Sequence, residues 1–463
     1  LHTILHSHKG IVLREKHLAK GLVFDEDTLV IRGTPTTQKS VETCFLLFST
    51  SKDENNWDSI LLFTFQILPD PWSLWKEEEP PKDAEYPKPH IDYDDIEMDL
   101  GRVIGASRRG RSHAHYGEFR EDDFSFAYNE ESQCLILVVS DGAGSYKYSR
   151  QGSKIACDES VKATIEFMKG EKGEKLKSTC ELYLDNPNQH QAVQKQVASI
   201  LGNAALHSVQ VLQQHASQKN RTLQGGKKNS MGKREGYAAT LLLTLVIPIR
   251  NQLFIGSFAI GDGGMVALEQ DTPILLGNPD YGKYASETTF LTHINWTSEE
   301  LMKRSRFYIS DKVDLIALMT DGVSDPFLST IDNHNDWMAL KAKILPYIQT
   351  ESIKDGAKRL CDWLHFKETS HHDDRTLLLF QPNMDKIKNQ YMEKQKKNQQ
   401  EDNEVEMKQA TSPQPLMPEP NNQQNTSDPD LPTEMVDEEP AEPSIVIIPP
   451  SDPKPTEEEE SHD

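Results

Sequence analysis

Leu135-Ile136-Leu137-Val138-Val139-Ser140-Asp141-Gly142-Ala143-Gly144 decides how the rest of the chain is read. Five branched aliphatic residues in a row are of strand length and read as a strand buried on both faces. The run ends in an acid, and glycines follow at once. A carboxylate delivered at the mouth of such a strand is costly to bury without a partner, and a divalent cation is the usual one. The same design returns at Leu315-Ile316-Ala317-Leu318-Met319-Thr320-Asp321-Gly322. Two apolar strands that each end in Asp-Gly point to a metal site.

With 463 residues the chain has room for two or three domains and an ample core in the largest. Its hydrophobic fraction, 36%, is low for a wholly globular chain, so part of the length is expected to be disordered. The net charge of −23 argues against nucleic acid as a partner, because phosphate backbones demand clustered Lys and Arg. A small basic stretch, Lys227 and Lys228 with residues 230–234, reads as a solvated loop. The five cysteines (Cys44, Cys134, Cys157, Cys180, Cys361) are scattered and lack CxxC spacing. They suit a reducing, cytoplasmic setting and offer no thiolate metal site. No apolar stretch reaches the roughly 18–20 residues of a membrane span. The chain opens on Leu1 rather than Met, which leaves the position of its true N-terminus open.

Residues 1–73 show short alternating segments (21–24, 28–32, 42–49, 60–67) between turn sequences and no helical period, which predicts a small antiparallel β-module. Its Ile-Arg-Gly-Thr-Pro turn resembles immunoglobulin-like modules of bacterial proteins. Residues 74–100 are Pro-rich and acidic and read as an extended linker, with Trp72 and Trp75 docked on a domain surface. The large globular unit is expected over 101–383. Strands are predicted at 124–128, 135–140, 238–247, 252–260, 264–269, 314–319 and 375–380. Helices are predicted at 149–168, 193–214, 337–350 and 352–365, with a loop or short helix at 169–184. Strands in runs and helices in pairs favour an α+β fold over a doubly wound one. Residues 384–463 read as a disordered acidic, Pro-rich tail, transiently helical to about 410. Its apolar island at 444–450 is either a partner-docking motif or noise in a solvated tail.

Acids cluster beside the predicted strands in five places: Glu121-Asp122-Asp123, Asp141-Gly142, Gly261-Asp262-Gly263, Asp321-Gly322 with Asp325, and Asp373-Asp374. Strands of one core bring their ends together, so these carboxylates can converge. An all-oxygen set selects hard cations, Mg²⁺ or Mn²⁺, over zinc. Two such ions can drive in-line attack on phosphorus.

Glu121-Asp122, Asp141-Gly142-Ala143-Gly144-Ser145, Ala239-Thr240-Leu241, Gly261-Asp262-Gly263, Thr320-Asp321-Gly322-Val323-Ser324-Asp325 and Asp373-Asp374-Arg375-Thr376 occur in an order that resembles the protein phosphatase 2C family in its bacterial form. Each motif is weak alone, and six in order are specific. The resemblance, over about 102–380, implies a β-sandwich of two antiparallel sheets flanked by helices. It further implies a phosphatase acting on phosphoserine and phosphothreonine of proteins through two Mn²⁺ or Mg²⁺ ions and a bridging hydroxide. On that resemblance Asp141 bridges the two ions, and the Gly142 carbonyl and Glu121 join one of them. Asp321 and Asp373 complete the other, Asp325 holds a third ion, Asp122 supports from behind, and Asp262 is structural. Phosphorylated proteins and a cognate kinase are the implied partners.

Two departures stand out. Many relatives carry Arg four residues before the first metal-site Glu, where it holds the substrate phosphate, and here that place is Gly117. Arg111, Arg120 and the histidines His113 and His115 are substitutes. Ala143 stands where other members carry a His that protonates the leaving group, so water or one of His113, His115, His371 and His372 takes that role. The missing phosphate Arg keeps a rival open: a catalytically silent relative that binds phosphoproteins as a scaffold.

Overall fold

The computed structural model of the chain describes residues 12–26, 28, 30–36, 41–49, 59–66, 75–224, 226, 228, 232–277, 288–367 and 370–410. Five strands come first: β1 (Val12–His17), β2 (Leu22–Asp25), β3 (Val30–Gly33), β4 (Val41–Ser49) and β5 (Ser59–Gln66). β1, β4 and β5 pair antiparallel in that order, and β2 pairs with β3 as a hairpin. Phe24 and Leu46 form the small buried centre of this all-β module.

The remaining strands are β6 (Ile91–Met98), β7 (Gly101–Arg108), β8 (Asp123–Asn129), β9 (Cys134–Ser140), β10 (Leu241–Ile249), β11 (Gln252–Ile260), β12 (Gly264–Glu269), β13 (Thr272–Leu275), β14 (Ser305–Ser310), β15 (Val313–Met319) and β16 (Arg375–Pro382). They build two antiparallel sheets, ordered β14-β11-β10-β9-β8 and β13-β12-β15-β16-β7-β6. The opening stretch behaves as its composition requires. Side chains alternate across a strand, so Leu135, Leu137 and Val139 enter the core between the sheets with Leu242, Ile316, Leu318 and Phe380. Ile136 and Val138 point the other way, into a core shared with Ala156, Cys157, Leu201 and Leu212. Those residues come from the helices Ser149–Lys169 and Asn203–Gln218 and the π segment Ala198–Gly202. On the second sheet Ala317, Met319, Leu377 and Leu379 pack under Trp337, Leu340 and Ile344 of the helix His334–Ile348 and Leu360 of the helix Ile353–Trp363.

Several segments differ from their sequence reading. Residues 91–98, expected within a linker, form β6 and pair with β7 from Ile91↔Arg108 to Met98↔Gly101. Asp92, Asp94, Asp95 and Glu97 hid the strand by diluting its apolar pattern; an edge strand tolerates them because one side meets water. Residues 171–185, left between loop and short helix, form a 15-residue helix. Residues 384–410 lie in the helix Met384–Ala410. Trp72, the expected disordered tail beyond 410 and the island at 444–450 lie outside the described residues. Among the described residues no helix is long and apolar enough to cross a membrane.

Register decides where the acids go. β9, β11 and β15 end, and β8, β10 and β16 begin, at the same edge of their sheets. The pairs Asp123↔Ser140, Leu241↔Ile260 and Met319↔Leu377 fix this. Each acidic motif therefore sits at one end of the sandwich, Asp321 and Asp325 within the helix that follows β15.

Candidate metal centre

Asp141 follows β9, and two hydrogen bonds to Thr240 hold it in place. Its N–H donates to Thr240 Oγ1 at 2.8 Å, and the Thr240 N–H returns to the Asp141 carbonyl at 2.8 Å. This is the local work of the Ala239-Thr240-Leu241 motif. Gly142 then passes so close to Glu121 that a Cβ would lie 2.6 Å from the Glu121 carbonyl, so only glycine fits. Asp321 opens the helix Asp321–Phe327 after β15, and Asp373 lies two residues before β16.

Asp141, Asp321 and Asp262 each offer a carboxylate oxygen, all within 4.8 Å of one another. A second group of the same compactness joins His113, Asp373 and Asp374. Asp262, expected to be structural, thus stands among the candidate ligands, while Thr288 Oγ1 donates to its Oδ2 at 2.5 Å. Burial pushes the Asp141 carboxyl well above its usual range, and the charges of Asp321, Asp122 and Asp373 push it further. Asp321 rises in the same way through burial, then Asp373 and Asp262. Asp373, though exposed by its surface area, rises through desolvation and the adjacent Asp374, against the pull of His113. Such crowding is what a divalent cation relieves, and the all-oxygen donor set fits Mg²⁺ or Mn²⁺.

Behind these acids lies a connected support. Asp122 Oδ2 accepts from Thr320 Oγ1 and Thr376 Oγ1, each at 2.8 Å, tying the turns that carry Asp321 and Asp373. Its other oxygen, Oδ1, is buried without a hydrogen-bond partner. Asp374 Oδ1 accepts from the Gly110 N–H at 2.6 Å, and Oδ2 from the Glu121 N–H at 2.5 Å. His113 Nδ1 lies 2.9 Å from Asp374 Oδ1, a close charge pair whose angle falls outside hydrogen-bond geometry. Burial opposes charging of His113, yet Asp374, Glu121 and Asp373 outweigh it and raise its pKa to about 10. Glu121 is buried, which pushes it up to about 6 against the pull of His113 and Lys233. Ser149 Oγ donates to Glu121 Oε2 at 2.8 Å, and His113 Nε2 stands 4.0 Å from the same oxygen.

A cleft of about 280 Å³ opens between Ser112, Asp321, Asp325, His371, His372 and Asp373. Asp325, exposed by its surface area, is still raised by desolvation, and Asp262 adds to the rise against the pull of His371. A larger hollow of about 600 Å³ lies by Gly101, Val313 and Pro382. These residues mark the opposite ends of β7, β15 and β16, and none of the motif acids lines it, so chemistry rather than size picks the site.

The proposed phosphate-holding groups fare unevenly. Arg120 is 1% exposed; its guanidinium donates to the Pro89 carbonyl at 3.2 Å and to Asp92 Oδ2 at 3.1 Å, away from the cleft. That engagement removes it as a substrate ligand. His113 is buried against Asp374 but turns Nε2 toward Glu121. Arg111 opens the helix Arg111–Tyr116 and acts electrostatically on His365. His115 is spent on the segment before β6: its Nδ1 accepts the Lys76 N–H at 3.1 Å under the Trp75 ring. Trp75 also meets His372, with centroids 4.4 Å apart.

Residues 109–365, more than half of the chain, match the family described as protein phosphatase 2C. This chain belongs to the protein phosphatase 2C family. Among solved structures it is similar to a bacterial serine phosphatase at 15% identity, covering 60% of this chain and 96% of that one, with a TM-score of 0.34. It is similar to RsbX in complex with magnesium at 13% identity, covering 63% and 100%, with a TM-score of 0.34. It is also similar to the serine/threonine phosphatase Stp1 from Staphylococcus aureus at 16% identity, covering 62% and 98%, with a TM-score of 0.33. No curated protein matches the chain. The family is that of metal-dependent phosphatases, and this member has the candidate metal-binding cluster the activity needs.

The reading of the sequence missed the roles of Lys88 and Ser149 and the pairing of Asp374 with His113. It took the basic stretch 230–234 for a solvated loop, whereas Lys233 is largely covered and pairs with Glu118 and Glu121.

Proposed function

We propose that this chain hydrolyses phosphoserine and phosphothreonine in proteins with two Mn²⁺ or Mg²⁺ ions. The observation that carries the proposal is the convergence of Asp141, Asp321 and Asp262 within one cluster beside Asp373. When bound, such ions supply Lewis acidity and a hydroxide at neutral pH to attack phosphorus. Asp141 would be shared by the two ions; Glu121 and the Gly142 carbonyl would hold one, and Asp321 and Asp373 the other. Asp262 would join Asp321, and Asp325 would hold a third ion. Ser149 fixes the Glu121 carboxylate, and Asp122 holds the two flanking turns in register through Thr320 and Thr376. His371 and His372 border the cleft and are the histidines placed to give a proton to the leaving alkoxide.

The domain limits follow the same reading: a β-module before about 73, the phosphatase unit to about 383, and an acidic tail that docks a partner. Phosphorylated proteins are the substrates, and a kinase acting on the same sites is the natural counterpart.

Purified protein with Mn²⁺ is expected to turn over p-nitrophenyl phosphate and a phosphothreonine peptide, and Asp141→Asn to abolish both. If wild type binds Mn²⁺ yet shows no turnover above Asp141→Asn, the silent scaffold replaces the enzyme.

A further inference from the structure

Lys233 belongs to a loop whose attachment does not depend on the acids. Its neighbour Arg234 donates its N–H to the Ser145 carbonyl at 2.8 Å, and the Lys147 N–H donates to the Arg234 carbonyl at 2.9 Å. The loop is thereby clipped to the segment that follows Asp141-Gly142-Ala143-Gly144. From this anchor the ammonium reaches Glu118 Oε1 at 2.8 Å and Glu121 Oε1 at 3.4 Å. Its side chain is 20% exposed while that of Glu121 is 2% exposed, so the charge stands between solvent and the buried acids.

His113, 4.0 Å from Glu121, is buried against Asp374, and three further cations nearby are turned to structure. Lys88 is buried on Asp123 and the Asp122 carbonyl. Arg109 donates to the Glu78 and Glu118 carbonyls, and Arg150 to the Tyr86 and Glu85 carbonyls. The helix Arg111–Tyr116 cannot bring a cation from its end, because it closes on Gly117 at φ 64° in the left-handed region.

A phosphate monoester approaching these acids meets crowded negative charge, and its own charge needs a cation beside them. Once a divalent ion sits on Glu121, the attraction between Glu121 and Lys233 falls, while Glu118 at 2.8 Å still tethers the ammonium. A lysine has three donors on a compact charge, enough for a carboxylate and a phosphate together. We propose that Lys233, tethered by Glu118, is the side chain that holds the phosphate of the substrate. This rests on the phosphatase reading above and goes beyond it by naming the group that replaces the cation missing at Gly117.

The test uses the full chain loaded with Mn²⁺ and three readouts: calorimetric binding of inorganic phosphate, KM and kcat on p-nitrophenyl phosphate, and Mn²⁺ affinity. Lys233→Met is expected to raise the phosphate dissociation constant and KM by a common factor of about 10–100, the worth of a hydrogen bond to a charged group. Lys233→Arg is expected to restore both to within a few-fold. Mn²⁺ affinity is expected to hold or tighten, because a like charge leaves the site. An unchanged phosphate dissociation constant in Lys233→Met overturns the proposal. So does a loss of Mn²⁺ affinity that accounts for the whole effect, or a loaded wild type that binds no phosphate. If the phosphatase reading alone fails, turnover is absent while phosphate binding still depends on Lys233.

Discussion

Lys88 sits in the segment read as linker, yet its ammonium is buried behind the metal-site acids. It lies 2.9 Å from Asp123 Oδ2, donates to the Asp122 carbonyl at 2.7 Å and to Ser153 Oγ at 3.2 Å, and reaches the Glu121 carbonyl at 3.4 Å. The side chains of the pair are 7% and 10% exposed. Burial lowers the pKa of Lys88, and the Asp123 charge pulls it back up. Lys88→Met keeps most of the volume and removes the charge, leaving Asp123 buried with its main counter-ion gone. Removal of one partner of a buried pair costs about 3–5 kcal/mol. Chemical denaturation of the full chain is expected to show that loss, with a fall in melting temperature on the order of 10 °C. Asp123→Asn in the Lys88→Met background is expected to recover part of it, because the stranded charge disappears; a coupling of about 1 kcal/mol or more in the cycle is the signature. A Lys88→Met protein within about 1 kcal/mol of wild type refutes the reasoning: the segment before β6 would then not be part of the folded unit.

Two further outcomes follow from the same geometry. Thr376→Val removes a hydroxyl shared by Asp122 and Ser107. It is expected to cost about 1–3 kcal/mol of stability and to weaken Mn²⁺ binding about 10-fold or more, read by denaturation and calorimetry; unaltered metal affinity would separate Asp122 from the site. Chelator-treated protein is expected to melt higher as Mn²⁺ is added, rising with the logarithm of concentration above the dissociation constant. A melting temperature insensitive to millimolar Mn²⁺ would mean that the carboxylates hold no ion.

The fold and the acids gathered at one end of the sandwich were readable because each leaves a local trace. A strand buried on both faces must be apolar at every position, as residues 135–139 are, and an acid at its end with glycine beyond is visible in the same ten residues. β6 left no such trace: as an edge strand it carries four acids where a core strand would carry aliphatics. The supports of the site were equally hidden. Lys88 lies 35 residues from Asp123 in the chain, Lys233 lies 112 from Glu121, and His113 lies 261 from Asp374. Nothing in the sequence near any of them records its partner. Local sequence thus determined the apolar central strands, the motif acids and the preference for a hard cation, since burial and turn chemistry act between neighbours. Tertiary structure alone decided that Asp262 joins Asp141 and Asp321, that Arg120 is spent on Pro89 and Asp92, and that Lys233 reaches Glu118 and Glu121. Side-chain charges meet through space, and antiparallel register, rather than chain order, sets which of them meet.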